Sequence, residues 1–425
     1  MKLFEHQSDA LKSTERFNRV AYYHDMGLGK TFTGAEKMMQ LRARLNLVVC
    51  QKSKIDDWVN HFREHYPNVC TYNLTNWEKA DWDGLSRFND MVDSLTDVFV
   101  INYDLVFRRP ELKKLKNFTL MLDESSLIQN ERSKRSKFIL NLNPKNVILL
   151  SGTPTGGKYE KLWSQLHLLG WKISKRMFYD QYVNYRIDTS QGFPLILIDG
   201  YKNEERLKKK MHDHGCHFLK TDEVFDLPEQ VHNTIKISTT QLYRKFRKDS
   251  IVTFDNVELV GDTSLTKMLY ERQLCGQYNE DKLKAFRDLL ESTDDRLIVF
   301  YNFTAELNVL KKIVTDVDMR RPMSRVNGEF KELTSYEKYD NSVTFIQYQA
   351  GAMGLNLQKA NKIVYFTPPL SSELFEQSKK RTHRIGQDRP CFYYYLTCKG
   401  SIEEKIYKTL AMRKDYTDKL FERGE

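Results

Sequence analysis

The sequence has few cysteines and no long apolar run. Its six cysteines are scattered over 425 residues without the paired spacing of a disulfide framework. The opening residues, MKLFEHQSD, lack the apolar core of a secretion signal, and no apolar stretch approaches the ~18 residues that cross a bilayer. Internal repeats and low-complexity tails are also absent. These absences predict a cytoplasmic protein with reduced thiols and no membrane partner.

Length and charge narrow the class further. A chain of 425 residues exceeds the ~100–200 residues of a usual domain, so two or three domains are expected. The formal net charge is +10, from 67 Lys and Arg against 57 Asp and Glu. Such a surplus favours a polyanionic partner without establishing one.

Short β-rich apolar runs alternate with helix-like stretches towards both ends of the chain, which is typical of parallel α/β units. The predicted strands are Val20–Tyr23, Leu47–Cys50, Val98–Ile101, Leu120–Leu122, Val147–Leu150, Leu297–Tyr301, Val343–Gln347, Ile363–Phe366 and Phe392–Leu396. From about 171 to 290 the strand signal gives way to charged, helix-favouring sequence. The sequence therefore predicts an α/β fold of two lobes separated by helical protrusions.

A glycine-rich loop follows the first predicted strand. The stretch YYHDMGLGKTFTG (22–34) matches the phosphate-loop pattern G-x-x-x-x-G-K-[ST] except that His24 stands at the first glycine. Gly27 and Gly29 allow the backbone to approach phosphate oxygens closely, Lys30 supplies positive charge, and the Thr31 hydroxyl suits Mg²⁺. Because the loop lies between a strand and a helix, the pattern predicts a nucleoside triphosphate site.

Two carboxylates follow another predicted strand, in TLMLDESS (119–126). This is the position of an acidic pair that serves a phosphate loop. Asp123 is the expected Mg²⁺ residue, and Glu124 is expected to orient or deprotonate the attacking water. Acidic pairs after strands are common as simple strand caps. This pair indicates a nucleotide site because the phosphate-loop pattern lies about ninety residues upstream.

Further motifs run in order along nearly the whole chain. They are FEHQ (4–7), DMGLGKT (25–31), VVCQKSKIDDWVNHF (48–62), VINYDLV (100–106), DESS (123–126), LLSGTP (149–154), RLIVFYNFTAELNVL (296–310), QAGAMGLNLQ (349–358) and QSKKRTHRIGQ (377–387). The series resembles the Swi/Snf-like ATPases, the double-stranded DNA translocases of helicase superfamily two. The P-loop of that family also lacks the first glycine. Ser126 departs from the family pattern, which has histidine there, and Gln347 stands where a small hydroxyl residue is usual.

The resemblance implies two RecA-like lobes, which are parallel sheets flanked by helices. It places an N-terminal ATP-binding lobe at 1–170, helical protrusions and a linker at 171–290, a C-terminal lobe at 291–405 and a brace helix at 406–425. ATP and Mg²⁺ are the implied cofactors.

The resemblance also implies site residues. The implied ATP contacts are Gln7, Met26, Gly27, Leu28, Gly29, Lys30, Thr31, Gly354 and Gln377. The implied catalytic residues are Lys30, Asp123, Glu124, Arg381 and Arg384, with Thr31 and Asp123 at Mg²⁺. The implied nucleic-acid contacts are Lys52, Ser53, Asn102, Tyr103, Ser151, Gly152, Thr153, Asn302, Thr304, Gln347 and Asn356.

The expected function is an ATP-dependent motor that translocates on double-stranded DNA. Two alternatives are a strand-separating DNA or RNA helicase and a nucleotide-gated DNA-binding module with weak hydrolysis, which the change at Ser126 suggests. The expected partners are double-stranded DNA and proteins bound to it, and the motor itself is expected to be monomeric. A nucleoid-associated protein of prokaryotic or viral origin fits this plain domain content.

Overall fold

The computed structural model describes residues 3–90, 95–189, 194–255, 257–351 and 355–421. The chain divides into two compact units: unit 1 is Met1–Val224 with Asp415–Glu425, and unit 2 is Phe225–Lys414. The four domain ranges expected from the sequence stay predictions. The predicted ATP contact Gly354 lies outside the described residues.

Unit 1 is an α/β unit. Its strands are β1 Arg19–His24, β2 Leu45–Cys50, β3 Val69–Asn73, β4 Thr96–Asn102, β5 Thr119–Asp123, β6 Asn146–Ser151, β7 Val183–Asp188, β8 Leu195–Tyr201 and β9 Cys216–Leu219. Its helices are α1 Glu5–Ser13, α2 Lys30–Gln40, α3 Ile55–His65, α4 Lys79–Gly84, α5 Tyr103–Val106, α6 Lys134–Leu140, α7 Trp163–Leu168, α8 Lys175–Tyr182 and α9 Glu204–Asp213.

The main sheet of unit 1 has seven parallel strands in the order β3-β4-β2-β5-β6-β1-β9. Successive residues of its central strands enter two different cores. Leu47 and Val49 belong to one cluster, and Val48 belongs to the other. This alternation explains why such strands are apolar throughout, since both faces of a parallel sheet are covered. The strand order brings the carboxyl ends of β5, β6 and β1 side by side.

Unit 2 follows the same plan. Its strands are β10 Gln230–Ile237, β11 Ile251–Phe254, β12 Val257–Val260, β13 Leu297–Tyr301, β14 Met323–Val326, β15 Lys331–Glu332, β16 Val343–Gln347, β17 Lys362–Tyr365 and β18 Cys391–Cys398. Its helices are α10 Gln241–Asp249, α11 Ser264–Cys275, α12 Glu280–Glu291, α13 Thr304–Val317, α14 Thr334–Lys338, α15 Tyr348–Gly351, α16 Ser372–Lys379 and α17 Ile402–Phe421, the last residues of which are counted with unit 1. No helix in the described part of the chain has both the length and the apolar character needed to cross a membrane.

The sheet of unit 2 has the order β10-β18-β17-β13-β16-β14-β15, and its strands are parallel except for the β14–β15 pair. Every strand predicted from the sequence is present within a residue or two of its predicted bounds. Two such sheets, each flanked by helices, confirm the predicted α/β class with two lobes.

The segment 171–290 contains strands as well as the predicted helices. Strand β9 joins the sheet of unit 1, β10 joins the sheet of unit 2, and β7–β8 and β11–β12 form separate antiparallel hairpins. The sequence predicted helical protrusions and a linker here and gave no indication of these strands. The burial of β10 alternates, with buried or half-buried positions at every second residue of QVHNTIKI. Edge strands of this kind carry polar residues and lack a continuous apolar run.

A buried lysine joins the first two helices. Lys37 of α2 is 1% exposed, and its ammonium donates to the carbonyl oxygens of Thr14 at 2.7 Å and Glu15 at 3.4 Å, where α1 ends. A cation at a helix carboxyl end satisfies carbonyl groups that have no partner within the helix. The contact therefore fixes α1 on α2.

Candidate active site

The glycine-rich loop connects β1 to α2, as the sequence predicted. Gly27 has φ +89° and Gly29 has φ +68°, the left-handed region in which other residues are strained. A Cβ atom added at Gly27 would meet nothing within 4 Å, so this part of the loop faces open space. At Gly29 it would stand 2.3 Å from the Nε2 atom of Gln7. The two glycines are required for different reasons, the first for backbone conformation and the second for close packing as well.

Lys30 is the first residue of α2. Its ammonium donates to the carbonyl oxygens of His24 at 2.8 Å and Asp25 at 2.9 Å, which folds the loop around it. The helix that it begins is eleven residues long, and no side chain caps the amino end. An uncapped amino end and a lysine together form a favourable place for phosphate.

His24 fills the position where the usual pattern has glycine. Its ring is fully buried, and its Nε2 lies 2.9 Å from Nδ1 of His217 on β9. Burial, and then the neighbouring His217, hold the pKa of His24 well below its usual range. At the position where the chain departs from the pattern, His24 thus forms a structural contact between β1 and β9.

Asp123 ends β5, and aromatic side chains hold it. Its Oδ2 accepts a 2.8 Å hydrogen bond from the indole Nε1 of Trp58 on α3. The hydroxyl of Tyr103 donates to the carbonyl oxygens of Asp123 at 3.1 Å and Glu124 at 3.3 Å. Burial raises the pKa of Asp123, and the bond from Trp58 opposes that shift. The sequence placed Trp58 only on the buried face of a helix, because nothing in its spacing indicates this partner.

Glu124 follows with φ +62°, an uncommon conformation for a residue other than glycine. Its Oε1 accepts hydrogen bonds from the hydroxyls of Ser151 at 2.6 Å and Ser126 at 2.8 Å. Burial raises the pKa of Glu124, whereas Ser151, Lys30 and Ser126 lower it, in that order. The serine that replaces the usual histidine is therefore bonded to the predicted base.

Gln7 contacts the loop directly. Its amide nitrogen donates to the carbonyl oxygens of Leu28 at 3.4 Å and Gly29 at 3.3 Å, and its Oε1 accepts from the backbone N–H of Phe4 at 3.0 Å. The structure thus brings Gln7 and the predicted loop residues into one cluster. Leu28 is buried, whereas Met26, Gly27, Gly29, Lys30 and Thr31 are half-buried.

The predicted ATP-site residues of unit 2 that the structure describes lie on α16 and the turn after it. Gln377 is buried and donates to Oε1 of Glu373 at 3.4 Å. Arg381 is 5% exposed. Arg384 donates from Nη1 to Oδ1 of Asn356 at 2.5 Å, and burial lowers the pKa of its guanidinium. These residues form a group within unit 2, and the role of the arginines towards ATP stays a prediction.

The predicted nucleic-acid contacts differ in exposure. Lys52, Ser53, Thr304 and Asn356 are exposed, and Asn302 and Gln347 are half-buried. Asn102, Tyr103, Ser151, Gly152 and Thr153 are buried. The Asn102 side chain caps α5, accepting from two backbone N–H groups at 3.0 and 2.8 Å. The contact of all these residues with DNA stays a prediction.

Comparisons with known proteins identify the family of the chain. The SNF2-related domain family matches residues 20–280, and the helicase conserved C-terminal domain family matches residues 281–386. A mouse "SWI/SNF-related matrix-associated actin-dependent regulator of chromatin subfamily A member 1" is 24% identical over 428 residues, which cover 90% of this chain and 39% of that protein. A "putative ATP-dependent helicase/translocase" of Bacillus subtilis is 22% identical over 448 residues, which cover 94% of this chain and 46% of that protein.

The chain spans less than half the length of either of these curated relatives. The chain is also similar to a solved structure, the Sulfolobus solfataricus SWI2/SNF2 ATPase core in complex with dsDNA. The two are 19% identical in sequence, the alignment covers 98% of this chain and 92% of the other, and the TM-score is 0.45. The SNF2-related match alone spans more than half of the sequence. The chain therefore belongs to the SNF2-related, helicase-like ATPases, as its motif series predicted.

Proposed function

We propose that this chain is an ATP-dependent motor that translocates along double-stranded DNA and remodels DNA or protein–DNA complexes. The observation that carries the proposal is the meeting of three groups at the carboxyl ends of β1, β6 and β5. The loop after β1 supplies Lys30, the end of β6 supplies Ser151, and the end of β5 supplies Asp123 and Glu124. This edge of a parallel sheet is where α/β proteins bind ligands.

The groups present fit ATP hydrolysis. The open space at Gly27 leaves room for phosphate. Two half-buried carboxylates, whose pKa values are raised by desolvation, would be stabilised in their ionised form by a nearby divalent cation. Asp123 and Thr31 would hold Mg²⁺, which neutralises charge on the phosphates when bound. Lys30 neutralises further phosphate charge through its ammonium. Glu124 accepts the proton of the attacking water, and the Ser151 hydroxyl keeps its carboxylate oriented.

The same carboxylates are tied to the segments that are predicted to touch DNA. Trp58 belongs to the helix that follows the exposed Lys52, and Tyr103 follows the cap residue of α5. A shift of either segment on DNA binding would move a hydrogen bond on Asp123 or Glu124. These contacts supply a physical route by which DNA stimulates hydrolysis, and each hydrolysis cycle in turn alters the hold on the backbone.

Strand separation is the second candidate, and one observation favours it. The β7–β8 hairpin presents Ile187 at 61% and Ile196 at 53% exposure, and these residues pair across the two strands. Apolar side chains on a projecting element can insert between stacked bases. Unwinding must also offset stacking of ~1.4 kcal/mol per base-pair step, whereas translocation on intact duplex needs only alternating phosphate contacts.

Two assays in one buffer separate the candidates. The first measures displacement of a third strand from a triplex, and the second measures release of a labelled strand from a forked duplex. ATP-dependent triplex displacement without fork opening is expected. A Glu124→Gln variant, which retains ATP binding and loses hydrolysis, serves as the control. Efficient fork opening without triplex displacement would replace the translocase proposal with the helicase one, and slow turnover on every nucleic acid would favour the nucleotide-gated module.

A further inference from the structure

Gln165 of α7 lies at the centre of a buried hydrogen-bond cluster beside the predicted ATP site. Its side chain is 0% exposed. Its Oε1 accepts hydrogen bonds from the hydroxyls of Ser125 at 2.7 Å and Tyr23 at 3.1 Å, and its Nε2 donates to the carbonyl oxygen of Pro154 at 2.8 Å. A buried amide is stable only when such partners replace the water that it has lost. The side chain therefore joins three separate segments of unit 1.

These three segments adjoin the predicted catalytic groups. Tyr23 lies on β1, the strand that leads into the glycine-rich loop. Ser125 directly follows Glu124, and Pro154 lies three residues after Ser151. Strands β5, β6 and β1 are neighbours in the sheet, so a single side chain reaches the segments after β5 and β6 as well as the strand before the loop.

The carbonyl of Pro154 fixes the direction of these hydrogen bonds. A carbonyl oxygen can only accept, so the amide nitrogen of Gln165 must face it. The amide oxygen then faces Ser125 and Tyr23, and both hydroxyls must donate to it. The hydroxyl proton of Ser125 is therefore directed to Gln165 and away from the Glu124 carboxylate.

Glu124 needs support from its neighbours because its backbone is strained. Its φ of +62° and ψ of +61° lie in the left-handed region, which residues with a Cβ atom rarely adopt. Such a conformation persists only where surrounding contacts fix it. The Tyr103 hydroxyl bonds the Glu124 carbonyl at 3.3 Å, and Gln165 fixes the next residue, the fully buried Ser125. Without the second contact, the backbone could relax and turn the carboxylate away from Ser151.

We propose that Gln165 is a positioning residue for ATP hydrolysis. It acts through Ser125 to hold Glu124 in its left-handed conformation, with the carboxylate bonded to Ser151. This role depends on the use of Glu124 as the base in the function proposed above, and it adds a residue to the predicted site. Because Gln165 is fully buried, it orients the base and does not contact ATP. Its loss should therefore lower the rate of bond cleavage and leave ATP affinity unchanged.

Two matched variants separate the two hydroxyls that share the Gln165 oxygen. Ser125→Ala removes the bond that leads to Glu124, and Tyr23→Phe removes the bond that leads to β1. Each change deletes one buried hydroxyl and nothing else. The measurement is the single-turnover rate constant of ATP cleavage, with duplex DNA present and protein in saturating excess over ATP. This rate constant does not depend on the fraction of the protein that is folded, so it distinguishes positioning from a loss of stability.

Ser125→Ala and Gln165→Leu are each expected to lower this rate constant by about tenfold, the scale of a lost hydrogen bond. Tyr23→Phe is expected to change it by less than about twofold. The double variant Ser125→Ala/Gln165→Leu should be little slower than the slower single variant, because both changes remove the same link. The dissociation constant of a non-hydrolysable fluorescent ATP analogue should stay within about twofold of the parent value in every variant.

A tenfold loss in Tyr23→Phe with none in Ser125→Ala would show that the amide acts through β1, and the proposed role would be wrong. Losses that multiply in the double variant would also contradict it, since they would come from independent effects. If Gln165→Leu does not fold, the two hydroxyl variants still decide between the routes. Parental cleavage rates in both Ser125→Ala and Gln165→Leu would overturn the role of Gln165 and leave the motor function standing. Absence of ATP cleavage by the parent protein on every nucleic acid would overturn both.

Discussion

The hydroxyl of Ser151 should set the acid limit of the pH range of the proposed ATP hydrolysis. It donates at 2.6 Å to the same oxygen of Glu124 that Ser126 contacts at 2.8 Å. Both bonds stabilise the ionised carboxylate and lower its pKa against the effect of burial. A hydrogen bond to a charged group is worth about 1.5–3 kcal/mol, and one pKa unit corresponds to about 1.36 kcal/mol. Ser151→Ala should therefore remove about 1.5–3 kcal/mol of stabilisation from the ionised form and raise the pKa of Glu124.

Because Glu124 must be ionised to accept a proton, the acid limb of kcat/KM should move to higher pH. The assay is ATP turnover with saturating duplex DNA from acid to alkaline pH. Ser136→Ala is the matched control, since Ser136 is equally buried but donates to the carbonyl of Ile128 at 3.2 Å. If Ser151→Ala lowers the rate equally at every pH and leaves the limb in place, the reasoning about proton affinity is refuted.

Four further outcomes are expected. Lys30→Ala should abolish ATP turnover while circular dichroism shows an intact fold, and near-normal turnover would remove the catalytic assignment. Arg384→Ala should lower DNA-stimulated kcat by about 10³-fold or more with a much smaller effect on DNA affinity; the opposite pattern would make it a backbone contact. Lys282→Met should lower the free energy of unfolding, measured in urea, by about 3–5 kcal/mol. The change leaves the buried Glu403 carboxylate, which lies 2.6 Å from the Lys282 ammonium, without that partner. Adding Glu403→Gln should recover much of the loss. The free energy of unfolding should fall as the pH drops below about 6.5. His24 becomes protonated in the unfolded chain, whereas burial keeps it neutral in the folded protein. A His24→Asn variant whose free energy of unfolding falls equally steeply with pH would contradict this.

The parts of the fold that could be predicted are those set by local pattern. Strands buried on both faces are apolar throughout, so β2 and β6 could be predicted directly from sequence. The P-loop and the acidic pair after β5 were equally visible, because their residue types and their position after a strand are dictated by phosphate chemistry. Strands β9 and β10 were missed, since an edge strand depends on which neighbour it pairs with and its own residues are largely polar.

Side-chain roles depend on packing that no spacing in the sequence reveals. Tyr103 and Ser151 belong to motifs that resemble DNA contacts, yet both are buried against the acidic pair. Trp58 has the spacing of an ordinary core residue, and only the fold shows its bond to Asp123.

The link between Lys37 and the end of α1 joins the two helices that carry the predicted ATP contacts Gln7 and Lys30. Gln7 on α1 and Lys30 on α2 belong to helices joined by an ammonium that is buried and donates to the carbonyl of Thr14. The hydrogen bond therefore couples the position of α1 to that of α2. If Gln7 contacts the base of ATP, as the family resemblance implies, a misfitting base would also displace the phosphates, and discrimination between purines would appear in the rate of bond cleavage as well as in affinity.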